Sequence, residues 1–327
     1  MKTIKKITGA LALFLTVALI LGMTACGGGS GGSSDSADTG ASSDAAETAD
    51  APDSADSGDA AEGDFKYGKI QIPGKDGALC GAPIYIAFDR GFFAEEGFDV
   101  ELISADSETR KIGLNNGTIP IVNGDFQFFP SIDEGVNVSV VDGLHNGCIK
   151  FIVKKDSPIK TAEDLQGKRI AVDEIGGTPH QVASVWVEKA GISAKPEDKQ
   201  VEFVVYSDGN LEIEALKNGD VDVAALWDPL GSIYTTGENA NEYEVLFDLS
   251  TDPTFAGKYC CFLYASNKLI KENPEQIASL LRAYRKAQEW ISENPKEAVD
   301  IISDKKYSDI EDKALAEELV KSYAYPS

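Results

Sequence analysis

The sequence predicts an α/β fold of two lobes with a cleft between them, and three observations carry that expectation. Short runs rich in β-branched and aromatic residues alternate with stretches of helical period from residue 65 onward, the pattern of strand–helix units with parallel strands. The strand-like runs end in Gly, Asp, Pro or Trp, residues that open loops. Two further stretches read as crossings from one lobe to the other, which divides the folded part into residues 65–150 with 262–327 and residues 151–261.

The first unit reads as a strand in GKIQIPG and a helix in APIYIAFDRGFFAEEG, followed by a strand in FDVELIS and a helix in ETRKIGLNNG. VNVSVVDGL supplies a later strand, and GCIKFIVKKDSPIKTAEDLQGK is the first crossing. KRIAVDEIGG leads into TPHQVASVWVEKAG, where Thr178 is expected at the N-cap, Pro179 at the first helical position and Gly191 just past the end. VEFVVYS, GNLEIEALKNG and VDVAALWDPLG form another strand–helix–strand unit. The chain returns through GKYCCFLYASNKLIKENPE into a helical region, where Leu280, Leu281, Tyr284, Ala287, Gln288 and Ile291 follow helical turns. A last helix is expected in DKALAEELVKSYAY. In open α/β sheets ligands bind beyond the carboxyl ends of the strands, so the loops there are the first candidates for function.

Upstream lies a different composition. Lys2, Lys5 and Lys6 precede the apolar run ITGALALFLTVALILGM, and Thr24 and Ala25 lead into Cys26. This start resembles a bacterial lipoprotein signal, which implies a signal peptide over residues 1–25 and a lipidated Cys26 as the first mature residue; an uncleaved helical anchor or a plain secretory peptide is the alternative. From Gly27 to Asp64 the chain contains no aromatic residue and no aliphatic side chain larger than alanine, so burial cannot offset the entropy of ordering it. Its ten carboxylates have no basic partner. Residues 26–64 are therefore expected to act as a lipidated, disordered acidic leash with a reach of about 30 Å or more.

The formal charge is −24, of which −17 falls on residues 65–327 once the +3 of the leader and the −10 of the leash are set aside. That sign repels nucleic acid. Cys80, Cys148, Cys260 and Cys261 are too few and too irregular for a disulfide framework. Adjacent Cys260 and Cys261 read as packed thiols in a strand. Zinc at His145, Cys148, His180 and Glu174 would suit the donor types, but paired-ligand spacing is absent. Neither a metal nor a cofactor is expected.

APIYIAFDRGFFAEEGFDVEL, DSPIKTAEDLQGKRIAV and EALKNGDVDVAALWDP, in that order and spacing, resemble the solute-binding proteins of ABC transporters in the nitrate, sulfonate, taurine, bicarbonate and thiamine-pyrimidine-precursor group. The resemblance implies a type II periplasmic-binding-protein fold. It further implies a monomer that closes over a small solute and delivers it to a membrane permease with its ATPase. A catalytic relative of the pyrimidine-precursor synthases, whose cysteine-rich run YCCFLY faintly resembles, and a co-receptor for a sensor kinase are the alternatives.

Several loop residues are candidate ligand contacts. The resemblance nominates Cys80, Gly81 and Ala82 in the first strand-to-helix turn, where Cys80 is equally readable as a buried thiol. Gly124 and Asp125 stand at the next such turn, Asp125 as contact or as helix cap. His145 lies in DGLHNGC. Gly176, Gly177 and Thr178 form a glycine turn whose amides either face the cleft or simply join strand to helix. Trp227 and Asp228 could stack on and hydrogen-bond a ligand, with Trp227 as core the rival reading, and Tyr259 is a hinge or wall residue. Asp125, Asp173, Glu174 and Asp228 have no Arg close in sequence, which favours an organic solute carrying an amine or ring nitrogen over nitrate.

Overall fold

The computed structural model describes residues 65–75, 77–308 and 310–325. The leader, Cys26 and the acidic leash lie outside the described residues. Among those described, no helix is long and apolar enough to cross a membrane.

The chain opens with β1 (Lys69–Pro73), α1 (Ala82–Asp89), α2 (Phe92–Glu95) and β2 (Asp99–Ile103). β1 and β2 pair in parallel, Lys69 opposite Asp99. α3 (Ser107–Asn116) begins where Asp106 accepts a bond from the Thr109 amide at 2.8 Å. It stops at Gly117, whose φ of 82° is strained for any other residue. After it come β3 (Ile121–Gly124), α4 (Phe128–Asp133), β4 (Val138–His145) and β5 (Ile149–Lys154).

Residues 169–248 add β6 (Arg169–Val172), α5 (Thr178–Lys189), β7 (Glu202–Val205), α6 (Gly209–Asn218), β8 (Val223–Trp227), α7 (Leu230–Thr235) and β9 (Tyr243–Asp248). The chain closes with β10 (Cys261–Ser266), α8 (Asn267–Glu272), α9 (Pro274–Glu293), α10 (Pro295–Asp304) and α11 (Lys313–Ser322). The long C-terminal helical stretch is thus two helices, parted where Pro295 starts α10 because its ring nitrogen has no hydrogen to donate.

Three sheets result: β1-β2, β3-β10-β4 and β7-β6-β8-β5-β9. Strands β6, β7 and β8 are parallel, as their strand–helix–strand order requires. β5 and β10 are antiparallel to their neighbours. These are the two stretches read as crossings, so the sheets are mixed rather than wholly parallel. Edge strand β9 had no counterpart in the sequence reading. At α5 the N-cap is Gly177 with Thr178 already helical, one residue earlier than expected. A helix boundary read from sequence is soft by a residue or two, and the Thr178 hydroxyl accepts from the Phe126 amide instead of capping α5.

One face of each helix supplies the core. Along α9, Ile277, Leu280, Ala283, Tyr284, Ala287, Gln288 and Ile291 are buried, while Leu281 packs at its margin. β6 and β8 are sealed on both sides, with Ile170, Ala171, Val223, Ala224 and Ala225 at zero exposure, which explains their continuous apolar runs.

Candidate ligand-binding site

The carboxyl ends of β3 and β8 and the turn after β1 converge on a cavity of about 410 Å³, within the usual range for small-molecule sites. Ala78 and Cys80 enter it from the turn before α1, Ala105, Ser107 and Arg110 from the start of α3, Asn123 and Gly124 from the end of β3, and Asp125, Gln127 and Phe128 from the turn into α4. Leu144, Trp227 and Cys261 complete the wall.

Each polar wall residue is held by a neighbour. Arg110 Nε donates to the Ala105 carbonyl at 3.0 Å and Nη1 to the Asn123 carbonyl at 3.2 Å, which fixes the guanidinium against the turn. Asp125 caps that turn, accepting from the Gln127 amide at 2.9 Å and from its Nε2 at 3.3 Å, while Ser107 Oγ donates to Gln127 Oε1 at 2.7 Å. Gly124 leaves room for two rings, since a Cβ there would lie 2.8 Å from Phe128 and 3.0 Å from Tyr264. The indole of Trp227 is oriented by a 2.7 Å bond from Nε1 to Asp173 Oδ2, joining the carboxyl ends of adjacent strands β8 and β6.

The electrostatics are acidic but not uniformly so. Burial pushes the Asp125 carboxyl up, and Asp173 adds to the rise against the bonds from Gln127. Glu174 is raised by burial and then by Asp173 and Asp125. Behind the wall, in α6, Glu212 is 2% exposed. Burial, with Asp173 and Asp208 nearby, pushes it up to about 9. His180 is lowered by burial, partly countered by Asp173.

Of the residues nominated from sequence, Cys80, Gly124, Asp125 and Trp227 line this cavity together. Gly81 and Ala82 are buried where α1 starts. The glycine turn sits beside the cavity: Thr178 is fully buried, and its Oγ1 accepts from the Phe126 amide at 3.0 Å, across from the turn that carries Asp125. Asp228 is already engaged, since Lys150 Nζ donates to Oδ2 at 2.8 Å and Ser232 Oγ to Oδ1 at 2.7 Å. It therefore supports the loop after β8 from within. Tyr259 is 38% exposed and lies over Gly143, where a Cβ would come within 2.5 Å of its ring. His145 is buried under Tyr323, with ring centroids 5.0 Å apart, and does not line the cavity. His180 instead packs on Phe203 and accepts from the Gly176 amide at 3.1 Å.

The sequence reading missed Arg110, Asn123, Ser107, Gln127 and Phe128, and with Arg110 the premise that the acidic loops lack a nearby base. Arg110 is 15 residues from Asp125 in sequence, and only the approach of α3 to the β3 turn brings them to one wall. A signal was present, because an Arg within the first turns after a strand can reach the same sheet end as the next strand-to-helix turn. Lys150 likewise stands beside Asp228, supplied by antiparallel β5.

The architecture is that of the periplasmic-binding-protein fold. The periplasmic aliphatic sulphonate binding protein SsuA from Escherichia coli superposes with a TM-score of 0.64 at 16% identity, over 79% of this chain and 80% of that one. The family model described as NMT1/THI5 like matches residues 81–298, and the chain belongs to that family. Among curated proteins, a putative binding protein of Brucella abortus is 30% identical over 143 residues, 43% of this chain and 42% of its own length. The chain thus spans about two-fifths of the length of that relative. The formylaminopyrimidine-binding protein of Halalkalibacterium halodurans is 28% identical over 232 residues, 67% of this chain and 64% of the relative.

Proposed function

We propose that the protein is an extracytoplasmic solute-binding lipoprotein of an ABC importer, a binding protein and not an enzyme. In this reading it acts as a monomer, captures a small solute and delivers it to a permease and its ATPase. Lipid on Cys26 would hold it at the outer face of the cell membrane, and the 26–64 leash would keep its effective concentration near the permease high. The lobes would be residues 65–150 with 262–327 and residues 151–261.

The observation that carries this reading is the cavity wall itself. A guanidinium, a carboxylate of raised pKa and an oriented indole converge on one space at the strand ends, with backbone-rich turns between them. Such a set suits a small organic solute with an anionic or carbonyl group for Arg110, an N–H for Asp125 and a flat or apolar body for Trp227 and Phe128. Similarity to a sulphonate-binding and a formylaminopyrimidine-binding protein supports the choice of sulfonate-like and pyrimidine-like solutes, with nitrate and bicarbonate as smaller candidates.

The test is thermal unfolding of the full chain with each candidate. A ligand at a hundredfold excess over its Kd should stabilise by about 2.7 kcal/mol. No stabilisation by any sulfonate, aminopyrimidine, nitrate or bicarbonate would sink the reading, and turnover of a bound candidate would replace it with the catalytic alternative. Labelled palmitate that enters the wild type but not Cys26→Ser supports the anchor; equal labelling refutes it.

A further inference from the structure

Against the cavity, whose wall Cys261 shares, four soft donors meet at the place where the chain passes between sheets. His145 ends β4, Cys148 precedes β5, Cys260 precedes β10 and Cys261 begins it, registered opposite His145. Cys148 Sγ lies 3.3 Å from Cys260 Sγ and 3.8 Å from Cys261 Sγ, and the latter two are 3.8 Å apart. His145 Nδ1 is 3.8 Å from Cys260 Sγ. One donor atom from each of the four residues falls within 4.8 Å of the others, and all four side chains are buried.

A tetrahedral ion with metal–sulfur bonds of about 2.3 Å holds its sulfurs about 3.8 Å apart, which two of the three sulfur–sulfur distances match. The imidazole is placed to join them through Nδ1, the nitrogen that faces Cys260 Sγ, while Nε2 is fully buried with no hydrogen-bond partner among the described residues. Tyr323 covers the ring, and Asn146 exchanges two bonds with Ala324, so the C-terminal segment closes over the group.

We infer that His145, Cys148, Cys260 and Cys261 form a Cys3His site for one thiophilic divalent ion of the zinc class, which ties the β4–β5 connection to the start of β10. Soft thiolates with imidazole select such an ion over magnesium or calcium. Binding forms three metal–sulfur bonds and one metal–nitrogen bond and releases the three thiol protons to solvent, with no change of oxidation state. Cys80, whose thiol neighbours His145 and Cys261, stays outside the set and faces the cavity.

Cobalt(II) is the probe. The full chain, reduced and stripped of metal, should take up one equivalent and develop tetrahedral d–d bands with a thiolate-to-cobalt charge-transfer band, all bleached by one equivalent of zinc. Cys148→Ser and Cys260→Ser should lose the charge-transfer intensity, and Cys80→Ser should keep it. No band in the reduced wild type, or bands that survive in both ligand variants, would overturn the assignment. Should the variants fail to fold, differential alkylation of the wild type decides. Zinc should protect Cys148, Cys260 and Cys261 together, and equal labelling with and without zinc would refute the site. A Cys148–Cys260 disulfide in the isolated chain, with no cobalt uptake after reduction, would refute it in favour of a redox pair.

Discussion

Replacing Glu212 with Gln should make the protein more stable in neutral solution, and the gain should grow with pH. Glu212 is nearly inaccessible, Oε2 has no hydrogen-bond partner among the described residues, and the carboxyl titrates near 9 in the fold against an ordinary 4.5. Between those values the folded chain keeps a proton that the unfolded chain gives up. Folded stability therefore falls as pH rises, by about 1.4 kcal/mol per pH unit from this group alone. At pH 7 the accumulated loss is about 3 kcal/mol, and it levels off once the folded carboxyl ionises near pH 9. Glutamine keeps the shape and cannot ionise, though its amide inherits the unpartnered position, so Glu212→Gln should equal or slightly trail the wild type near pH 4. Urea unfolding of both chains at half-unit steps from pH 4 to 9 measures the difference, in which the raised carboxyls of Asp125 and Glu174 cancel. A difference that stays flat across this range, or one that shrinks with rising pH, would refute a buried neutral carboxyl at this position.

Three substitutions probe the cavity and its supports. Trp227→Phe keeps most of the ring area but removes the donor to Asp173, so solute affinity measured by calorimetry should drop several-fold, about 1 kcal/mol, with unfolding stability little changed; an equal loss of both would make the indole a core residue. Asp228→Ala strands the Lys150 ammonium, whose side chain is 15% exposed, and should cost about 3 kcal/mol in urea unfolding, a figure reduced to the extent that Asp248, 3.6 Å away, takes over. Thr178→Val keeps volume and removes the acceptor for the Phe126 amide, so hydrogen exchange at Phe126 should quicken and affinity should weaken with it. Unchanged exchange would mean the bond does not persist in solution.

What could be read from the chain depended on how local the cause was. β6 and β8 and the buried stripe of α9 follow from periodicity, and the start of α5 from Thr178 and Pro179 to within one residue. Among the loop positions that line the cavity, Gly124, Asp125 and Trp227 were reachable because strand ends mark ligand sites in this class of sheet, whereas Cys80 came from the family resemblance. Strand direction was not, since β5 and β10 have the same composition whether they run with or against their neighbours. Side-chain commitments were also hidden: Asp228 looked available until Lys150, 78 residues away, was placed beside it. Arg110 and Phe128 reach the cavity only through tertiary approach, and sequence neighbours alone gave a wall more acidic than it is.

In the proposed binding role, the contact between the Phe126 amide and the Thr178 hydroxyl sets a scale for how the site would open. A single neutral bond of this kind contributes about 1 kcal/mol, comparable with thermal energy, so by itself it is a weak latch. Any occupant that makes two or three good contacts with Arg110, Asp125 or Trp227 outweighs it. On that proposal, how long a guest stays would be governed by the guest's own grip on the wall, and a chemically poorer guest would depart sooner without any separate sorting step.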